Sequence, residues 1–293
     1  MKELVVISGK GGTGKTSLLA SFAALAKNAV CADCDVDAAD LHLILSPAVL
    51  SSTGFWSGHE AVIRRKDCIQ CGSCFTHCRF SAVQKMKGSE AAEFSIDPVS
   101  CEGCGVCVRF CPVKAIDFPE KKCGEWFLSR TRFGPMVHAR LGIAAENSGK
   151  LVTVVRKEAR RLAQEAGSDL ILVDGPPGIG CAAIASISGA SFVVVVTEPT
   201  LSGEHDLERV LSLTRHFGIR TAVCVNKWDL NQDMADRIER KALVSGCQAL
   251  ERISYDRNVT AAQVNGKAVV EYRDCPAAQD IRKGWQTVCH MIG

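Results

Sequence analysis

Apolar positions along the chain fall into two kinds of run. Short, near-continuous runs occur at ELVVIS (3–8), AVCAD (29–33), DLILVD (169–174), SFVVVVTE (191–198) and TAVCVN (221–226), each bounded by turn residues. Such runs predict strands covered on both faces, as in a parallel sheet. Other stretches carry apolar residues at helical spacing: TSLLASFAALAKN (16–28), AADLHLIL (38–45), KLVTVVRKEARRLAQEAG (150–167), EHDLERVLSLTRHFG (204–218) and NQDMADRIERKALVSG (231–246). Strand, loop, helix, strand is the opening of a parallel α/β sheet. The rhythm stops near residue 60 and returns near 150. Residues 66–122 are instead dense in Cys, Gly and short turns. The pattern predicts an α/β domain, residues 1–60 plus 123–293, with a small cysteine-rich domain, residues 61–122, inserted into it. The two halves of the cysteine run resemble each other, which makes an internal repeat.

Composition narrows the class. A chain of 293 residues can bury a sizeable core in one or two domains. It is 47% hydrophobic and 23% charged, ordinary for a soluble globular protein. The net charge is +3, and the densest basic stretch, Arg156 to Arg161, is interrupted by Glu158. In a helical pattern it reads as a solvated helix face rather than a nucleic-acid surface. No apolar run approaches the ~20 residues needed to span a bilayer, and the N-terminal apolar stretch is too short for a signal peptide. No nucleic-acid or membrane partner is expected, and the chain is expected in the cytoplasm. Its end, DIRKGWQTVCHMIG, reads as short and weakly amphipathic. The 16 cysteines point to metal rather than to disulfides in a chain of this kind. Eight fall in two regular runs. The other eight (Cys31, Cys34, Cys123, Cys181, Cys224, Cys247, Cys275 and Cys289) are scattered and read as small buried hydrophobes.

Residues 9–16 read GKGGTGKT and fit G-x-x-x-x-G-K-[ST], with a strand before and a helix after. Gly11, Gly12, Thr13 and Gly14 let backbone N–H groups close around phosphate oxygens at a helix N-terminus. Lys15 is expected on the β- and γ-phosphates of ATP, and the Thr16 hydroxyl on Mg²⁺. Cys68, Cys71, Cys74 and Cys78 are spaced C-x₂-C-x₂-C-x₃-C, and Cys101, Cys104, Cys107 and Cys111 repeat the spacing, followed by Pro112. Zinc takes pairs of C-x₂-C rather than runs of four.

The cysteine spacing resembles that of the bacterial two-cluster ferredoxins, in which the fourth Cys of each run ligates the other cluster. The resemblance implies two [4Fe–4S] clusters, one on Cys68, Cys71, Cys74 and Cys111, the other on Cys101, Cys104, Cys107 and Cys78. Arg79 stands where the second run has Pro112, and its charge is expected to raise the potential of the nearer cluster.

Lys10, a second lysine inside the loop, resembles the deviant P-loop of the ATPases that include MinD, ParA, Mrp and the nitrogenase iron protein. In that group the extra lysine reaches the partner's nucleotide across a dimer interface. The resemblance implies an ATP-dependent homodimer, or a heterodimer with a paralogue. Asp35, in DCDVD (33–37), falls where the group keeps the carboxylate that orients the attacking water, while Asp33 and Asp37 read as structural or solvated. Asp174, in ILVDGPPGIG, matches the acid that holds Mg²⁺ through water, and the stretch after it resembles a switch loop. Asn226 resembles the asparagine that reads adenine; Asn-Lys-x-Asp also occurs in GTPases, so the base preference rests on the deviant P-loop. Glu198, Pro199 and Thr200 either line the site or approach and cap a helix. Cys181, seven residues after Asp174, is a structural cysteine or an extra metal ligand, with Cys123 as the nearest partner.

Taken together, the chain resembles MinD-superfamily P-loop ATPases carrying an inserted ferredoxin domain, over nearly its whole length. The implied fold is a mostly parallel-sheet P-loop NTPase with an inserted two-cluster ferredoxin-like domain. The implied activity is ATP hydrolysis coupled to electron transfer, with a redox or metallocofactor protein as partner. Two alternatives stand beside it: an iron–sulfur or metallocofactor assembly ATPase, and a MinD-like positioning ATPase with structural clusters.

Overall fold

The computed structural model describes residues 1–86, 93–142 and 148–293. The chain divides into two compact units. One is built from Met1–Thr53, Glu125–Leu141 and residues 148–293, the other from Gly54–Gly124. In chain order the strands are β1 (Lys2–Ser8), β2 (Ala29–Asp33), β3 (Ala48–His59), β4 (Val62–Ile63), β5 (Val83–Lys85), β6 (Phe94–Ile96), β7 (Ile116–Asp117), β8 (Glu120–Thr131), β9 (Gly134–Leu141), β10 (Leu170–Pro177), β11 (Phe192–Thr197), β12 (Thr221–Val225) and β13 (Gln248–Ala249). The helices are α1 (Lys15–Leu25), α2 (Leu41–Leu45), α3 (Ser73–His77), α4 (Val106–Arg109), α5 (Ser148–Ala166), α6 (Cys181–Ile187), α7 (Leu201–His216), α8 (Gln232–Val244), α9 (Arg257–Val264), α10 (Val269–Tyr272) and α11 (Pro276–Ile292).

The five apolar runs become β1, β2, β10, β11 and β12, the middle of a sheet ordered β13-β12-β11-β1-β10-β2-β9-β8-β3. Every position of β2, β11 and β12 is buried. That burial explains why their sequences do not alternate. From β13 to β9 the pairings are parallel. The strand order reverses around β1, which lies between β10 and β11. In an open α/β sheet the crevice beyond the strand ends at such a reversal is where ligands bind. The loop after β1 opens there, and β10 delivers Asp174 beside it, pairing Val6 with Asp174.

Three features depart from the sequence pattern. The interruption near residue 60 hides long strands: β3, β8 and β9 extend the sheet, and the divide between the units falls inside β3 and β8. Arg156 is not on a solvated face. It is buried in α5, paired with Glu3, and donates to the carbonyls of Ala185 at 2.7 Å and Ser188 at 2.8 Å. Arg160 also reaches Glu3, while Arg161 stays exposed and bridges Glu158 and Glu165. One face of α5, Leu151, Val155, Ala159 and Ala163, is buried at helical spacing, and Arg156 belongs to that side because two carbonyls and a carboxylate satisfy it. Finally, α11 is a helix of 17 residues, not a short weak one, and Ala277, Ala278, Ile281, Gly284 and Val288 are buried on it. Its apolar face is spent inside the core. Among the described residues no helix is long and apolar enough to cross a membrane.

The smaller unit pairs β4 with β7 and β5 with β6, both antiparallel. Among the described residues its buried apolar cluster is Ala61, Cys74, Val83, Phe94 and Ile116, with Ile63, Ile96, Val108, Phe118 and four cysteines, Cys78, Cys101, Cys107 and Cys111, packed against it. A core of that size does not hold a unit of this length without a staple such as a metal centre.

Candidate nucleotide and cluster sites

The loop from Gly9 to Gly14 leaves β1 and enters α1 at Lys15. Gly14 has φ +94°, and a Cβ there would stand 2.5 Å from the Asn226 amide nitrogen. Only glycine combines that conformation with that closeness. The Asn226 side chain donates to the Thr13 carbonyl at 2.8 Å and accepts from the Lys227 N–H at 3.0 Å, so it braces the loop from behind.

A cleft of about 520 Å³ opens in front of the loop. Gly11, Gly12, Gly14, Lys15, Thr16 and Asp35 line it, whereas Thr13, Asn226 and Asp174 do not. The volume suits a nucleotide-sized ligand. Lys15 Nζ lies 3.6 Å from Asp35 Oδ2, with both side chains nearly buried. Burial pushes the Asp35 carboxyl up, and Lys15 opposes it. Asp174 is fully buried. Neither of its carboxylate oxygens has a hydrogen-bond partner of good geometry among the described residues. Burial raises its pKa to about 6, although the Lys15 charge and the nearby Thr16 hydroxyl favour the anion. Asp33, its neighbour on β2, is also buried and accepts N–H bonds from Asp35 at 3.1 Å and Leu41 at 3.3 Å. Asp35 and Asp174 thus both face Lys15, and Asp33 adds a third carboxylate beside Asp174. An orphaned buried carboxylate among like charges is a donor set that fits a hard cation such as Mg²⁺.

Lys10 points away from the cleft. Its Nζ lies 3.6 Å from Glu198 Oε2 and 3.2 Å from Ser202 Oγ, and Glu198 also holds Lys227 at 2.5 Å. Thr200 caps α7 by accepting from the Gly203 N–H at 3.0 Å. The helix-approach reading of Glu198–Thr200 is the one the geometry carries. Among the cleft residues that escaped the sequence reading are Ser17 and Gln263, joined at 2.6 Å. Gln263 comes from α9, and no local signal marks it. Cys181 is exposed at the start of α6, while Cys123 is buried in the smaller unit with its thiol on the Ser57 carbonyl at 3.0 Å.

In the smaller unit the eight run cysteines sort into two cavities. One is lined by Cys68, Cys71, Cys74 and Cys111, with Phe94 and Ile116. The other is lined by Cys78, Cys101, Cys104 and Cys107, with Val83 and Ile96. Left-handed turns at Gln70, Gly72, Gly103 and Gly105 aim the cysteines inward. Backbone N–H groups reach the sulfurs of Cys68 from Gln70 at 3.4 Å and of Cys111 from Ala115 at 3.2 Å. Partial burial pushes the Cys78 thiol up, but backbone groups of Val83, Phe80, Ala82 and Ser81 outweigh it and the net shift is down. Burial wins at Cys74 and Cys107, which are raised. No three His, Cys, Asp or Glu side chains among the described residues converge on a single-ion site. The cysteines ring a space instead, and N–H donation to sulfur is what cluster thiolates receive.

Residues 61–118 match the family described as a 4Fe-4S dicluster domain. The uncharacterised protein MJ0578 of Methanocaldococcus jannaschii is 31% identical over 234 residues, 78% of this chain and 79% of that protein. The pyruvate synthase subunit PorD of the same organism is 32% identical over 69 residues, 24% of this chain and 77% of that subunit. Among solved structures, the septum site-determining protein MinD of Pyrococcus horikoshii, complexed with Mg-ADP, superposes with a TM-score of 0.58 at 17% identity, covering 100% of this chain and 97% of that one. At that identity the likeness is one of fold. The chain belongs to the family of MJ0578, and it shares the fold of MinD with a 4Fe–4S dicluster domain inserted at residues 61–118.

Proposed function

We propose that the protein is an ATP-gated electron carrier. Lys15 and the loop N–H groups hold the ATP phosphates, Thr16 and Asp174 hold Mg²⁺, Asp35 orients the attacking water, and Asn226, which braces the loop through Thr13 outside the cleft, reaches adenine only by giving up that bond. Two [4Fe–4S] clusters sit on Cys68, Cys71, Cys74 and Cys111 and on Cys78, Cys101, Cys104 and Cys107. ATP draws two copies together, or this chain and a paralogue. Lys10 exchanges its contacts with Glu198 and Ser202 for the partner's nucleotide. Closing alters the potential or exposure of the clusters, and hydrolysis resets them. Cys181 takes no ligand role in this reading.

The reading is supported above all by one observation. Each cavity takes three cysteines of one run and the fourth of the other, on the same chain as a cleft with an orphaned buried carboxylate. The small unit's likeness to a subunit of pyruvate synthase favours clusters that serve chemistry over clusters that only hold the fold. The burial of the apolar face of α11 weighs against membrane attachment through that helix, as a positioning ATPase would need.

The test is an EPR redox titration of anaerobically prepared protein, with and without MgATP, after counting iron. About eight irons per chain are expected. A linkage of about 1–3 kcal/mol moves a one-electron midpoint by roughly 40–130 mV. An unmoved midpoint together with iron passing to an apo-acceptor would reassign the protein to cluster assembly.

A further inference from the structure

Beside the nucleotide cleft lies a second cavity of about 510 Å³. The segment after β2, Val36 to Asp40, walls one side, and Phe127, His138 and Arg140 of β8 and β9 wall the other. Ala38 and Asp40 line both cavities, so the two share a wall. Nothing in the nucleotide or cluster chemistry uses this second space.

Its chemistry is specific. The Phe127 ring stacks on His138 with centroids 5.0 Å apart and 23° between planes. His42 continues the stack at 6.3 Å and 8°. In such a stack His138 is covered by its neighbours, and the outer faces of Phe127 and His42 are what a further planar π-system can stack against. His138 is fixed by a 2.9 Å hydrogen bond between its Nε2 and the Ser129 hydroxyl. Burial, with the His42 charge second, lowers its pKa to about 4, so at neutral pH it offers an uncharged ring. Arg140 is exposed and forms no ion pair among the described residues, although it lines the cavity. Asp37 and Asp40 line it too, and both are exposed. Among the described residues an aromatic stack, a cation without an ion pair and two acceptors surround a space of ligand size.

We propose that this cavity binds a small planar aromatic carboxylate, its ring on the outer Phe127 face of the Phe127–His138–His42 stack, its carboxylate on Arg140 and a hydrogen-bond donor toward Asp37 or Asp40. The site stands whether or not the ATP-gated reading holds.

The test uses the anaerobic full-length protein and anthranilate, a fluorescent planar carboxylate that carries an amine donor. Saturable binding of one anthranilate per chain is expected, undisturbed by saturating MgATP. Cyclohexanecarboxylate, an anion without a flat ring, is expected to bind at least about tenfold more weakly, and Arg140→Gln to weaken anthranilate by a similar factor. Arg140→Gln should keep its affinity for ATP, which checks its fold. If it does not, Phe127→Leu decides, with the same loss of anthranilate expected. No saturable binding, equal binding of the two anions, unchanged affinity in both variants, or displacement by ATP would each overturn the proposal.

Discussion

Asp174 carries the sharpest conflict between stability and function at the scale of one residue. Its carboxylate is fully buried, close to Asp33 and Asp35, and without a hydrogen-bond partner of good geometry among the described residues. An unpaired buried charge costs several kcal/mol in a low dielectric, and Lys15 offsets only part of it. In the proposed function, a cation bound at Asp174 removes that cost. Asp174→Asn keeps the shape and removes the charge. The variant is expected to melt at a higher temperature than the wild type when both lack nucleotide, and to lose Mg²⁺-dependent ATP binding. Thermal unfolding and nucleotide titration, each with and without Mg²⁺, check both halves. A lower melting temperature with intact Mg²⁺ dependence would mean that the carboxylate serves the fold and not the ion. Asp33 is the contrast. It is equally buried, but two backbone N–H groups occupy its oxygens, which is why sequence position alone cannot rank the two acids.

At the scale of elements, what the sequence makes legible depends on burial. Strands covered on both faces, β1, β2, β10, β11 and β12, announce themselves as apolar runs. The outer strands do not. β3 is exposed over its first six residues, and β8 reads EKKCGEWFLSRT, so neither shows a continuous run or a clean alternation. The P-loop and the cysteine runs are legible because their chemistry is local in sequence. Gln263 and the pairing of Lys10 with Glu198 are not, because they are made by distant elements. The internal repeat is legible twice, once as spacing and once as conformation. Gly72 opens α3 at φ +74° with a Cβ position 3.4 Å from Phe94, and Gly105 opens α4 at φ +72° with one 3.4 Å from Phe118. An alanine in that left-handed conformation costs about 1–2 kcal/mol. Each glycine lines its own cavity. Gly105→Ala should therefore release iron to a chelator first from the cluster proposed on Cys78, Cys101, Cys104 and Cys107, and Gly72→Ala first from the other proposed cluster. Stopped-flow chelation with EPR assignment of the surviving cluster reads the order. Equal loss from both clusters in both variants would show that the two cavities form one mechanical unit.

At the scale of the whole molecule, two units with separate chemistry share one chain, and the interest lies in whether they share free energy. If MgATP shifts the cluster midpoint, reduction must shift the affinity for MgATP by the same free energy, because both describe one thermodynamic cycle. About 59 mV of one-electron shift corresponds to a tenfold change in dissociation constant. The sign is also fixed: a midpoint lowered by MgATP requires weaker MgATP binding to the reduced protein, and a raised midpoint requires tighter binding. Equilibrium binding of MgATP to oxidised and to dithionite-reduced protein is therefore expected to differ by the factor that the EPR titration gives. Hydrolysis would spoil the cycle, so Asp35→Asn, expected to bind nucleotide but hydrolyse it about 10²-fold or more slowly, is the form in which to measure it. Agreement between the two numbers would establish that nucleotide and electron are linked through the conformation of the protein. A midpoint shift without the matching change in affinity would break the cycle, and would mean that the titrated sample held a second process, such as cluster loss or dimer dissociation, in place of a linkage.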